Sequence, residues 1–193
     1  PFSRHMPDYR RLRLLTHYIR NKTSRSELYL SFVNFSFWGG EGDILGNLLA
    51  ILLGLADDRP THRILHALEQ SGAGDPYPIR ATCSPIIRDD ILWRPYMGRH
   101  RQNIDYQYHN GGSWPFIGGF HVLALASVGR AGKAREVLEK LAQANYVNDW
   151  AFHEWFHGRN GEPNGMVGQS WNAAMCLLAR YGLEKKIFDP LNF

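Results

Sequence analysis

Residues 46–70, GNLLAILLGLADDRPTHRILHALEQ, and residues 119–143, GFHVLALASVGRAGKAREVLEKLAQ, carry the same rhythm at an offset of 73 positions. Each begins with a stretch that is apolar on nearly all sides and rich in small residues. A short polar turn follows, Asp57-Asp58-Arg59-Pro60 in one copy and Gly129-Arg130-Ala131-Gly132 in the other. Each then ends on a stretch apolar on one face only, at Ile64, Leu65 and Leu68 or at Val137, Leu138 and Leu141. A helix apolar all round is buried, and a striped one covers it from outside. The pattern therefore predicts a repeated inner-helix, outer-helix hairpin, the unit of a toroid or solenoid. A third inner helix is expected at 168–182, GQSWNAAMCLLARYG, and an outer-type helix near 8–20. The whole chain, 1–193, reads as one all-α domain, with residues 1–7 extraneous to it or disordered.

Between the hairpins lie long segments, about 73–115 and 147–167, rich in Gly, Pro, Asn and aromatic residues. Loops of that length in a compact domain are usually functional. In a ring of hairpins they emerge together at one end of the central cavity. The six Trp and nine Tyr suit a pocket wall there, or ordinary core packing.

Composition narrows the class. With 44% hydrophobic and 21% charged residues the chain reads as an ordinary globular protein. No apolar run is long enough to span a bilayer, and no signal-peptide pattern stands in the chain. The net charge of +4 owes much to the first 25 residues. There Arg10, Arg11, Arg13 and Arg20 alternate with Leu12, Leu14, Leu15 and Ile19. That alternation describes a solvated helix face, with an anionic partner as the alternative. No nucleic-acid or membrane partner is expected. The two cysteines, Cys83 and Cys176, define no disulfide framework and point to a reducing, cytoplasmic setting.

Two loop segments carry the candidate chemistry. The first, YQYHNGGSWPF at 106–116, places His109, Asn110, Ser113 and Trp114 around a Gly-Gly turn. A sugar has apolar C–H faces and a hydroxyl rim, so an aromatic ring beside an amide and an imidazole suits it; a structural aromatic turn is the alternative. The second, NDWAFHEWFHGRNGEP at 148–163, contains His153-Glu154-x-x-His157. On a helix this spacing would bind zinc, with Glu154 as base. Gly158, Gly161 and Pro163 oppose a helix, and alternating aromatics favour an extended segment. An extended chain would hold the two imidazoles ~13 Å apart, too far for one ion. No metal or other cofactor is therefore expected. Glu154 stands among Trp150, Phe152, Trp155 and Phe156, surroundings that desolvate a carboxylate and raise its pKa toward general-base values. A structural pairing with Arg159 is the alternative.

YHNGGSWP at 108–115, then Glu154-Trp155-Phe156-His157-Gly158, then Gln169-Ser170-Trp171, resembles the neutral and alkaline invertases. It is also similar to related alpha-glucosidase and glycogen-debranching-like glycoside hydrolases. DILGNLLAILLGLAD at 43–57 resembles the helix that precedes these loops, and the likeness runs from about 28 to 182.

The resemblance implies an (α/α)6 barrel enzyme that works by inversion, of which this chain is about half. It implies Glu154 as general base and His109, Asn110, Trp114, Gln169 and Trp171 as the lining of a sugar subsite, with Asp43 as a further pocket residue. His153 replaces the family's Pro, and Trp155-Phe156 its Tyr-Tyr, so sucrose is not carried over as the substrate. The family's acid, an aspartate, belongs to an upstream half, for which Asp105 and Asp149 are the nearest substitutes here. The expected partners are a sugar or oligosaccharide, and another chain or upstream half that completes the barrel.

Three other readings remain open at this stage. One is a non-catalytic carbohydrate-binding toroid, which lacks the acid. Another is a sugar epimerase using His109 and His153. The third is the zinc hydrolase.

Overall fold

The computed structural model describes residues 9–22, 26–33, 37–101 and 103–185. The seven residues expected to lie apart from the domain fall outside that set, as does Arg25 near the end of the basic stretch. The elements run α1 (Tyr9–Lys22), α2 (Ile44–Leu52), α3 (Asp58–Gln70), α4 (Pro115–Ser127), α5 (Ala131–Trp150), β1 (Trp155–Phe156), β2 (Pro163–Asn164) and α6 (Ser170–Lys185). A short 3-10 segment at Pro95–Arg101 interrupts the first long loop.

The two expected hairpins are α2–α3 and α4–α5. On α3, Ile64, Leu65 and Leu68 are buried while His62, Arg63, His66 and Glu69 face solvent. On α4 nearly every side chain is enclosed, Val122, Leu123, Ala124 and Leu125 among them, and the helix packs against α2, α5 and α6. Two boundaries differ from expectation for one reason. The turn placed at 57–60 lies earlier, because Pro60 is accommodated in the first turn of α3. Helix α4 starts at Pro115 rather than at 119. Proline in a first turn lacks only an N–H that would be unpaired anyway.

Two expectations need correction. The pattern predicts that α6 is buried on all sides. Among its residues only Asn172, Ala179 and Gly182 are buried, while Trp171, Leu177, Leu178 and Tyr181 are exposed. Helices α4 and α5 cover one side of it, and no described element covers the other. The segment around Glu154 is not continuously extended. Asn148, Asp149, Trp150 and Phe152 all have positive φ, and strand geometry begins only at Trp155.

The loops gather at one end, where α2, α4 and α6 all begin. Isolated bridges join Asp43 to Thr82, Arg80 to Ser113 and Ser113 to Phe156, and β1 pairs antiparallel with β2. Backbone bonds from Ile44 to Ala81, Ala81 to Gly112 and Phe156 to Ser113 complete this ladder. Gly158 makes the layering possible: a Cβ there would collide with the carbonyl oxygen of Gly111.

Candidate active site

Glu154 stands between the kink that ends α5 and strand β1. It is half-buried. Its backbone N–H donates to the Met166 carbonyl at 2.8 Å, and its Oε2 accepts from the Met166 N–H at 3.0 Å. Gly165, at φ +72°, lies directly against the Glu154 side chain, and a Cβ there would meet Oε2. The return strand β2 and the residues after it therefore form the floor on which this carboxylate rests.

The Gly-Gly turn supplies the opposite wall. His109 stacks parallel on Trp114, with centroids 5.1 Å apart and planes within 5°. Crowding by these rings holds its imidazole below the ordinary histidine pKa, and the negative charge of Glu154 opposes that shift. Trp171, at the start of α6, closes the third side, with its ring 6.5 Å from Trp114 and 5.7 Å from Phe116.

Not every expected contact residue faces the opening. Trp114 is 2% exposed, and its indole N–H donates to the Tyr108 carbonyl at 3.0 Å. It supports His109 and offers a ligand no free face; the open ring is that of Trp171, 47% exposed. Asn110 is also buried. Its Oδ1 accepts from Ile86 N–H at 2.7 Å, and its Nδ2 donates to the carbonyls of Ile86 and Asn103. A buried amide that made no such bonds would be costly, and this one ties three loop strands together. Gln169 is half-buried at the head of α6. Asp43 caps α2, accepting from Gly46 N–H at 3.0 Å, and lines a separate cavity of about 340 Å³ with Tyr29, Ser31 and Asn47. Burial raises its pKa against the lowering pull of the Gly46 N–H. Three ladder spacings separate its loop from that of Glu154, roughly 14 Å of backbone.

The zinc arrangement does not form. His153 and His157 are not on a helix. His153 is turned inward with Nε2 3.0 Å from the amide of Asn148, and burial lowers its pKa. The Nδ1 of His157 accepts from Arg159 N–H at 3.3 Å, and its ring lies over Tyr106. Among the described residues, no three His, Cys, Asp or Glu side chains converge. Arg159 stacks over Tyr106 at 4.3 Å and forms no ion pair with Glu154.

Inner and outer helix hairpins with their loops gathered at one end define an α/α toroid. Among solved structures, an uncharacterized conserved protein from Thermus thermophilus matches with TM-score 0.58 and 15% identity, over 82% of this chain and 35% of that one. A GH63 mannosylglycerate hydrolase from the same organism, in complex with glucose, matches with TM-score 0.51 and 18% identity, over 69% and 30%. At these identities the likeness is one of fold. The family follows from sequence: the profile of the alkaline and neutral invertases matches residues 31–186, and the chain belongs to that glycoside hydrolase family. It is 32% identical over 146 residues to a probable alkaline/neutral invertase D of Arabidopsis thaliana, covering 72% of this chain and 26% of that protein. Cytosolic invertase 1 of Oryza sativa subsp. japonica is also 32% identical, over 72% and 25%. This chain therefore spans about a quarter of the length of such relatives. Relatives named as cytosolic, mitochondrial and chloroplastic all occur, so membership sets no compartment. No helix among the described residues is long and apolar enough to cross a membrane.

Sequence reasoning missed Asn172, Gly165 and Met166. Asn172 stands in the sequence as one amide in a mixed helix, and its burial is visible only in the fold. Met166 acts through its backbone, which leaves no mark on side-chain pattern.

Proposed function

We propose that this chain is the part of an inverting glycoside hydrolase that supplies the general base, Glu154, for an alpha-glucoside-type substrate. The observation that carries the reading is the half-buried Glu154 carboxylate, whose Oε2 is held by the Met166 N–H at 3.0 Å. A carboxylate anchored by a single N–H keeps its other oxygen free to take a proton from water. The imidazole of His109, stacked on Trp114, suits a sugar hydroxyl, as donor or acceptor. Trp171 provides the open aromatic face, and Gln169 an amide at its edge. Trp114 and Asn110 act behind these groups by holding His109 and the turn, and Asp43 belongs to the flank.

Inversion needs a second carboxyl group roughly 6.5–9.5 Å from the first, with water between. Asp105 and Asp149 are both exposed, Asp149 within the kink that ends α5. The acid is supplied by the part of the catalytic domain that the longer relatives possess beyond this segment. A reducing, cytoplasmic location accords with two free thiols, Cys83 and Cys176.

The test is Glu154→Gln in the complete natural polypeptide. Loss of a general base is expected to lower kcat by about 10²–10⁴ with KM little changed. Near-normal hydrolysis of alpha-glucosides would overturn the assignment. Calorimetric binding of glucose, sucrose or maltose by a complete polypeptide that turns none of them over would favour a binding toroid instead.

A further inference from the structure

The buried amide of Asn172 has no place in the chemistry above, yet both of its ends are committed. Its Nδ2 donates to the His153 carbonyl at 2.7 Å, and its Oδ1 accepts from the Phe116 N–H at 3.0 Å. The residue is 0% exposed. Its own carbonyl accepts from Asn145 of α5 at 3.4 Å.

Each bond falls at a sensitive place. The His153 carbonyl and the Glu154 N–H belong to one planar peptide unit. Asn172 holds the oxygen end of that unit, and the Met166 carbonyl holds the nitrogen end at 2.8 Å. The plane from which the Glu154 side chain departs is therefore gripped on both edges. At the other end of the amide, α4 begins without a side-chain cap from Trp114, and its first residue, Pro115, has no N–H. Phe116 presents the next unpaired donor of that helix. Asn172 satisfies it from a different helix, two residues past the Trp114 that His109 stacks upon.

We infer that Asn172 is a positioning residue: one side chain that locks the Glu154 arm, the His109–Trp114 arm and the Trp171 arm into a single rigid unit. The inference rests on the proposed role of Glu154, because a fixed carboxylate matters for turnover only if it takes part. A displacement of about 1 Å from productive geometry lowers a rate by about 100-fold.

Two experiments separate the clamp from the catalytic reading. In the complete natural polypeptide, Asn172→Leu is expected to lower kcat about 100-fold with KM within about threefold. An asparagine that only stabilised the fold would leave kcat per folded molecule unchanged, and that result overturns the proposal. The second experiment follows amide hydrogen exchange in the same complete polypeptide. In the unmodified protein, Phe116 and Glu154 are expected to exchange through one shared opening with equal denaturant dependence. In Asn172→Leu or Asn172→Ala both should lose at least about tenfold in protection while Ala124, in the middle of α4, keeps its own. Independent openings, or unchanged protection at both amides, would refute the clamp. Should Glu154→Gln retain turnover, the catalytic reading fails while the exchange result still decides whether the clamp exists.

Discussion

Glu154 and Met166 exchange two hydrogen bonds, one through the glutamate backbone and one through its carboxylate. That reciprocity exists because Gly165 brings its backbone against the side chain at φ +72°. Alanine at 165 would meet Oε2 and also adopt a left-handed conformation that a Cβ disfavours by about 1 kcal/mol. Gly165→Ala is therefore expected to reduce kcat/KM of the complete enzyme by at least about tenfold, a displacement effect of the kind that a shift of about 1 Å produces. Its melting temperature should change by only a few degrees, since the strain is about 1 kcal/mol. Steady-state kinetics and calorimetry on the same preparation check both halves; unchanged kcat/KM would show that the glycine serves the turn alone. The sequence singled out Glu154, His109 and Trp171, and the structure leaves all three at least partly open to solvent. The sequence was least legible for Trp114 and Asn110, because an aromatic or amide that lines a pocket and one that braces it have the same one-letter identity.

At the scale of elements, α4 is the axis of the molecule, and it carries a buried histidine. His121 is 7% exposed, with both ring nitrogens unpartnered, and burial pushes its pKa down from 6.5 to about 4. The depressed value means that the unfolded chain binds the extra proton first. Stability is therefore full above pH 6.5 and falls as pH drops from 6.5 toward 4. The loss from this group reaches about 3 kcal/mol below that window. His121→Leu should remove that slope and leave stability at about pH 8 within about 1 kcal/mol, because it deletes unpaired polar atoms. Glu69, Asp75, Lys133, Glu136 and Lys140 line the cavity beside the ring in both proteins, so the difference isolates His121. Urea unfolding at several pH values measures it, and equal slopes would contradict the prediction. The helices themselves were legible from period alone. Their starts were not, since Pro60 and Pro115 read as punctuation and proved to be first-turn residues.

At the scale of the molecule, α6 presents Trp171, Leu177, Leu178 and Tyr181 to solvent. An apolar face of this kind marks a surface normally covered. The isolated 193-residue chain is accordingly expected to self-associate at micromolar concentration. Leu177→Lys with Tyr181→Lys should suppress this without disturbing the helical signal. Sedimentation over a hundredfold range of concentration tests it, and a monomer throughout would argue that the face needs no cover.

The sequence by itself determined the hairpin repeat, the inner and outer roles of α2 to α5, and the family. Those depend on periodicity and on contiguous motifs such as YHNGGSWP, which the linear chain displays directly. Tertiary structure alone decided which of these residues face the opening. It laid Gly158 on Gly111, turned His153 and His157 away from a shared ion, and brought Asn172 to both Phe116 and His153, 56 and 19 positions away. Such pairings rest on the packing of helices distant in sequence, and no local period or propensity encodes them.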